Sequence, residues 1–138
     1  MKIYKSLLYL SIILLLSCDK QKATIKGIEG QWNIQKLHLI DPLGFKIIVV
    51  PTGTVSISPN GKNSPTGRYS IDLSYITEVD TVILQLQGEY QQTGNKEFTM
   101  TRAAGSAFTA LTPYFTKNDL QFDLPNLDNK GHYFILNR

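Results

Sequence analysis

Apolar and polar residues alternate along most of the chain, and this two-residue period constrains the fold more than any other feature. Apolar side chains occupy every second position from Tyr69 to Tyr75, with polar ones between them. The same alternation recurs in 84–87, 98–101 and 120–124. A strand with one buried and one hydrated face needs this pattern, which is typical of antiparallel sheet. The sequence therefore predicts an all-β fold.

Turn signals divide the alternation at short intervals. The segments 41–44 (DPLG), 59–61 (PNG), 93–95 (TGN) and 128–131 (DNKG) contain the residues that reverse a chain. Short strands with regular turns are typical of an antiparallel barrel or sandwich. We predict about eight strands, near 31–40, 44–50, 53–58, 67–75, 80–90, 96–102, 118–124 and 132–137.

Two places in the pattern leave alternatives open. Trp32 lies in one phase of the alternation and Leu37 in the other, so the first strand either contains a β-bulge or exposes some apolar side chains. The segment 102–117 is rich in small residues. It forms either a helical turn capped by Ser106 or a long loop with a partial strand.

The first 17 residues have the layout of a signal peptide. Lys2 and Lys5 form a basic start, and the 12 mostly apolar residues 6–17 follow. A helix of that length reaches about 18 Å, well short of the roughly 30 Å hydrocarbon core of a bilayer, so we do not expect a permanent transmembrane helix. We predict a signal peptide over 1–17, a flexible tether over 18–28 and one folded domain over 29–138.

The junction Leu15-Leu16-Ser17-Cys18 contains the single cysteine of the chain and resembles the lipobox of bacterial lipoproteins. The resemblance implies that the Cys18 thiol carries diacylglycerol and that its amine is acylated with a fatty acid such as palmitate. Two or three acyl chains hold a protein stably on a membrane. We therefore expect a lipid-anchored protein of the bacterial cell envelope, in the outer membrane; the alternative is the inner membrane, because Asp19 directly after Cys18 resembles a retention signal of some bacteria, although in other lineages charged residues there accompany export to the surface. The alternative is an ordinary signal peptide with a cysteine near its end by chance.

Loss of the signal peptide changes the charge balance. The chain has 14 Lys and Arg against 11 Asp and Glu, and loses two of the basic residues with Lys2 and Lys5. No basic cluster remains in the sequence that could neutralise several phosphates, so nucleic-acid binding is not expected. With Cys18 acylated, no thiol remains for a disulfide, a metal or a nucleophilic mechanism.

Residues with catalytic or metal-binding chemistry are few and scattered. His38 and His132 are far apart and form neither a His-x-x-x-His nor a Cys-His spacing. Glu78 and Asp80 are two residues apart, as in a carboxylate pair, but a turn explains them equally well. We expect no catalytic residue, no metal site and no cofactor; the protein is not predicted to be an enzyme.

The segment 28–39 resembles the opening strand of the lipocalin family, which carries Gly-x-Trp; here the motif is Gly30-Gln31-Trp32. The lipobox and the glycine-led strand at 66–71 extend this to the small lipocalin-like lipoproteins of bacteria. The resemblance implies an antiparallel up-and-down barrel of about eight strands. It also implies that Trp32 closes one end and that Arg138 packs over its ring as a cation–π pair.

A lipocalin-like barrel implies a ligand held at its mouth, and aromatic residues on the strands are the candidates to line it. The alternative is that these rings fill the core of a small barrel. The candidates are Tyr69, Tyr90, Phe98, Phe122 and Tyr133.

Two functions are consistent with these features of the sequence. The first is a membrane-anchored binder of a small apolar or amphipathic ligand. The second is a protein-interaction module, such as an inhibitor, adhesin or assembly accessory, that uses loops or a strand edge. A cavity of about 300 Å³ or more lined by the aromatics would favour the first. A filled core with an exposed apolar patch on one rim would favour the second.

Overall fold

A computed structural model describes residues 19–138. The predicted signal peptide and Cys18 lie outside the described residues. Residues 19–28 are helical and are called α1, and no helix within 19–138 is long and apolar enough to cross a membrane. The strands are β1 Gly30–Ile40, β2 Lys46–Val49, β3 Thr52–Pro59, β4 Thr66–Ile76, β5 Thr81–Gln92, β6 Glu97–Arg102, β7 Ala107–Phe115, β8 Asp119–Leu127 and β9 Lys130–Asn137.

The strands form a closed antiparallel barrel. From β3 to β9 each strand pairs with the next, and β9 returns to pair with β1. β1 pairs with β3 through 30–33 and with β2 through 37–40, so β2 and β3 together occupy one position in the wall. The barrel therefore has eight strand positions, which confirms the predicted all-β up-and-down barrel.

The segment 102–117 differs from both predicted alternatives, because β7 occupies most of it. β7 pairs with β6 on one side and with β8 on the other. Small residues such as Ala110 have weak strand propensity, but pairing on both edges outweighs local preference. The eight predicted strands had counted β2 and β3 separately and omitted β7.

The phase switch in β1 is a β-bulge. The register of β1 against β9 shifts between Ile34 and Lys36, which leaves Gln35 as an extra residue on β1. Trp32 and Leu37 lie on either side of the shift, yet both point into the barrel and are 0% exposed. The bulge therefore bends β1 and keeps both of its halves apolar towards the core.

The predicted flexible tether is instead the helix α1. Its residues Ile25 and Ile28 are buried in the core cluster, and Thr24 Oγ1 donates a hydrogen bond of 2.6 Å to the carbonyl oxygen of Asn95. Side chains three apart share one face of a helix. Two apolar residues are too few to show as a helical period, which is why the sequence pattern did not predict this helix.

The two ends of the barrel are different. The closed end consists of α1, the start of β1, Arg138 and the turns 60–65, 93–96 and 116–118. The mouth consists of the turns 41–45, 77–80, 103–106 and 128–129.

Side chains fill the lumen between the two ends. Twenty-one buried apolar residues form a single cluster. The largest that are essentially inaccessible are Trp32, Phe98, Phe122 and Phe134. Since the chain has one cysteine, no internal disulfide supports the fold, and its stability rests on this packing.

Candidate functional site

Four of the five predicted ligand-binding aromatics lie together in the core. Tyr69, Tyr90, Phe98 and Phe122 point into the lumen, and each is at most 3% exposed. The rings of Tyr90 and Phe98 pack edge to face, with centroids 5.8 Å apart. These rings occupy the space that a deep ligand would need, as in the filled-core alternative.

The hydroxyl groups of two of these residues lie in apolar surroundings. The hydroxyls of Tyr69 and Tyr90 are buried without a hydrogen-bond partner among the described residues. Burial, and secondarily the charge of Glu29, raises the pKa of Tyr90 to about 12. The Tyr90 ring lies directly over Gly67, where an added Cβ would come within 2.7 Å of the tyrosine oxygen. This contact explains why the strand beginning at 66 is led by a glycine.

Tyr133 does not join the other four aromatics. It points out of the barrel, between the inward-pointing His132 and Phe134. Its ring stacks on His38 with centroids 5.7 Å apart, and its hydroxyl donates a 2.6 Å hydrogen bond to Gln121. Tyr133 is therefore part of the outer wall, and the buried phase of β9 was the sequence signal for this.

Trp32 and Arg138 meet at the closed end. The Arg138 Cζ atom lies 4.2 Å from the centroid of the Trp32 ring. The guanidinium donates hydrogen bonds to the carbonyl oxygens of Glu29 and Lys117, while Trp32 Nε1 donates one of 2.8 Å to the carbonyl oxygen of Ile28. This is the pair that the lipocalin resemblance implied, and it ties α1 to β1 and to the turn between β7 and β8.

Gly30 makes the turn from α1 into β1. Its φ angle is 111°, in a region that side-chain-bearing residues avoid. The glycine of the Gly-x-Trp motif thus lets Trp32 enter the barrel immediately after the helix.

A recess of about 270 Å³ opens at the mouth. Its walls come from β1, β2, β4 and β9, and Leu39 faces Ile47 across the β1–β2 hairpin. Because the bulge shifts the inward-facing positions of β1 by one residue, the side chain of Leu39 faces inward. The residues that define this mouth recess are Leu39, Phe45, Ile47, Tyr75 and His132, with Asp41, Asp128 and Lys130 at its margin.

An ion pair crosses the mouth beside the recess. Arg102 Nη2 lies 2.7 Å from Asp128 Oδ1. The same guanidinium lies over Phe108, with Cζ 5.7 Å from the ring centroid, and Phe108 packs edge-on against Tyr69. Arg102 therefore covers the aromatic core at this end. It was not among the residues predicted from the sequence, although it is in phase with the buried Phe98 and Met100.

Large exposed apolar side chains concentrate around the mouth. Among the described residues, eight lie on the β1–β2 and β4–β5 hairpins, and one, Tyr114, lies on β7. Soluble proteins rarely expose such a concentration unless it contacts something. We call the eight the apolar rim: Leu43, Phe45, Ile47, Ile48, Val50, Ile76, Val79 and Ile83.

The β2 strand leaves one edge unpaired in the described sheet. It pairs with β1 alone, and the pairing of β3 with β4 ends at Thr52 and Ser74. An unpaired edge offers backbone N–H and C=O groups to an additional strand. This edge lies on the β1–β2 hairpin, which also carries part of the apolar rim.

The other candidate chemical groups are separated or structural. Glu78 and Asp80 belong to the β4–β5 turn, in which Thr77 donates its N–H to the Asp80 carbonyl oxygen at 2.8 Å. His38 lies on the outer wall, and His132 lies in the mouth recess. Within residues 19–138, no group of three His, Cys, Asp or Glu side chains is placed to hold a metal ion.

His132 makes the stability of the barrel pH-dependent. Burial lowers its pKa below the ordinary 6.5, outweighing the opposing effects of the Lys130 carbonyl and Asp128. The unfolded chain then binds this proton at a higher pH than the native protein. His132 therefore leaves the free energy of unfolding unchanged above about pH 6.5, and this free energy declines as the pH falls from that value through the lowered pKa of the native protein.

We therefore predict that His132→Gln reduces the decline in the free energy of unfolding between pH 7 and pH 5. Urea denaturation at several pH values measures this slope whatever the variant's stability at neutral pH. His38→Gln is measured beside it, because burial and the charges of Lys46 and Lys36 lower the pKa of His38 as well. An unchanged slope in the His132 variant would contradict the prediction.

Neither a protein-family model nor a curated protein sequence matches the chain. The fold and the site define its class: a closed eight-stranded antiparallel barrel with one end covered by a helix and the other bordered by apolar side chains.

Proposed function

We propose that this protein is a lipid-anchored protein of the bacterial cell envelope, in the outer membrane, that binds a partner protein at its mouth. The observation that carries the proposal is the apolar rim: eight large apolar side chains are exposed on or directly beside two hairpins, while four of the five aromatic candidates for a ligand cavity are packed in the core. The lipobox resemblance at Cys18 supports the anchor.

The side chains and the strand edge at the rim indicate the chemistry of the partner segment. Its apolar side chains supply the desolvated centre of an interface, and the unpaired β2 edge accepts an extended segment as a further strand. Asp41, Glu78 and Asp80 lie in the two turns of the rim, against the two nearby basic residues Lys46 and Lys130. The expected partner segment is therefore extended, apolar and flanked by basic residues.

A second candidate function is binding of a small amphipathic ligand in the mouth recess. Leu39, Tyr75 and His132 provide apolar walls and a polar group there. At about 270 Å³ the recess lies just below the range of about 300–1,000 Å³ that is usual for ligand pockets. It would therefore hold one ring or a short acyl segment.

Site-specific photo-crosslinking in the native host tests both functions. A crosslinking residue at Phe45 or Val79 is expected to give a protein adduct of one defined mass. Tyr114 is the matched control, since it is exposed and aromatic but lies outside the rim. Ile47→Lys, which places a charge in the rim, is expected to abolish the adduct at both positions while the protein stays folded.

The other outcomes are informative. A small-molecule adduct at Phe45 alone would support the ligand function instead. Equal adducts at Tyr114 and at the rim, or none at the rim, would contradict a protein-binding mouth.

A further inference from the structure

Basic side chains that are scattered in the sequence gather at the closed end. Seven of the 12 Lys and Arg residues in 19–138 lie there, against four acidic residues, and all seven are exposed. The mouth turns and the residues that flank them carry three basic against four acidic side chains. The closed-end basic residues, which we call the basic face, are Lys20, Lys22, Lys26, Lys62, Lys96, Lys117 and Arg138.

Part of the basic face surrounds a groove of about 390 Å³ between α1 and the turn that follows β7. Cationic groups border this groove, and its floor is apolar. An anionic lipid presents a phosphate above hydrocarbon, which is the complementary arrangement. The lining residues are Lys26, Lys117 and Arg138, with Ala23, Gly27 and Phe115.

The basic face also lies beside the predicted anchor. α1 crosses the closed end and is held there by Thr24 and by the hydrogen bond from Arg138 to the Glu29 carbonyl oxygen. In the sequence, Cys18 directly precedes Asp19, the first described residue of this helix.

We propose that the closed end is a membrane-binding face that contacts anionic phospholipid headgroups, so that the barrel stands with its mouth directed away from the membrane. The orientation rests on the lipid anchor of the proposed function, whereas headgroup binding by the basic face is measurable without it. The absence of a flexible tether makes the contact direct, because α1 packs into the barrel instead of spacing it from the bilayer.

Vesicle co-sedimentation tests the headgroup contact. The probe is phosphatidylcholine vesicles with or without anionic phosphatidylglycerol, and the protein is the mature chain from residue 18 with Cys18→Ser, first verified to unfold cooperatively. We expect binding only to the anionic vesicles, and its loss near 1 M salt, where the Debye length is about 3 Å. The combined substitution Lys22→Gln, Lys62→Gln and Lys117→Gln is expected to weaken binding about 100-fold, roughly fivefold per lysine.

The matched control removes the same charge elsewhere. Lys36→Gln, Lys46→Gln and Lys130→Gln lie on the wall and at the mouth and are expected to leave binding within about twofold, because charges beyond a Debye length of about 10 Å are screened. Equal losses in the two triple variants, equal binding to neutral vesicles, or equal binding to duplex DNA at the same phosphate concentration would overturn the proposal.

Hydrogen exchange on the lipidated protein in anionic vesicles tests the orientation. Protection relative to detergent is expected in 60–65 and 116–118, and none in 41–45 or 77–80. Protection at the mouth turns would overturn the proposed orientation. The mass of the Cys18 adduct and the crosslinks at the rim are separate measurements, so a failure of the proposed function is distinguishable from a failure of this inference.

Discussion

Replacing Trp32 by Ala is expected to lower the free energy of unfolding by about 3–5 kcal/mol. The indole is 0% exposed at the closed end, donates a hydrogen bond to Ile28 and supports the Arg138 guanidinium. Its removal leaves a cavity and an unpartnered carbonyl group. Domains of this size are stable by about 5–15 kcal/mol, so the loss is a large share. Urea denaturation followed by circular dichroism measures it.

A double-mutant cycle tests whether the two residues act together. Arg138→Ala in the Trp32→Ala background is expected to cost less than in the wild-type protein, with a coupling free energy above about 0.5 kcal/mol. Lys130→Ala is the control, because it removes a cation at the mouth and its effect should be additive with that of Trp32→Ala. Additive effects of Trp32 and Arg138 would contradict a cooperative closure of this end.

Replacing Cys18 by Ser is expected to abolish lipid attachment completely, since the chain has one thiol and serine cannot form the thioether. The precursor should remain uncleaved by the lipoprotein pathway, and the mass of the mature wild-type protein should exceed that of its peptide by the acyl groups. Mass spectrometry and membrane fractionation measure these outcomes. Fractions should be washed at about 1 M salt, which screens any contact of the basic face.

Ser17→Ala is the matched control for the cysteine variant, because it keeps a small residue before Cys18 and should be processed normally. A Cys18→Ser protein that is still cleaved after Ser17 and retained on salt-washed membranes would contradict the lipobox interpretation.

The barrel could be predicted because its physical cause is local and repetitive. The alternation of apolar and polar residues along each strand indicates which side chains face the core. Its interruption in β1 falls at the bulge residue Gln35. α1 and β7 could not be predicted in this way. α1 shows two buried apolar residues, and β7 is specified by its pairing with β6 and β8 on both edges and not by the strand propensity of its own small residues.

The candidate site was less predictable than the fold. All five aromatic candidates were predicted to point inward and four of them do, but the sequence does not show whether the space between their rings is filled. Tyr133 was grouped with them although its neighbours occupy the inward phase. Five residues of the apolar rim fall in 43–50 and three of the basic face in 20–26, but the other members of each come from distant segments that meet only in three dimensions, so neither surface can be read whole from the sequence.

The pairing of β9 with β1 has a consequence for biogenesis. This pairing closes the wall, and the hydrogen bond from Arg138 to Glu29 joins residues 109 positions apart. A contact of such high separation forms late, because the loop-closure entropy must be overcome first. During synthesis β1 can pair with β2 and β3 early, but its other edge has no final partner until β9 has been made. For the export that we propose, the expectation is that the chain acquires its protease-resistant form only after the last strand has crossed the membrane.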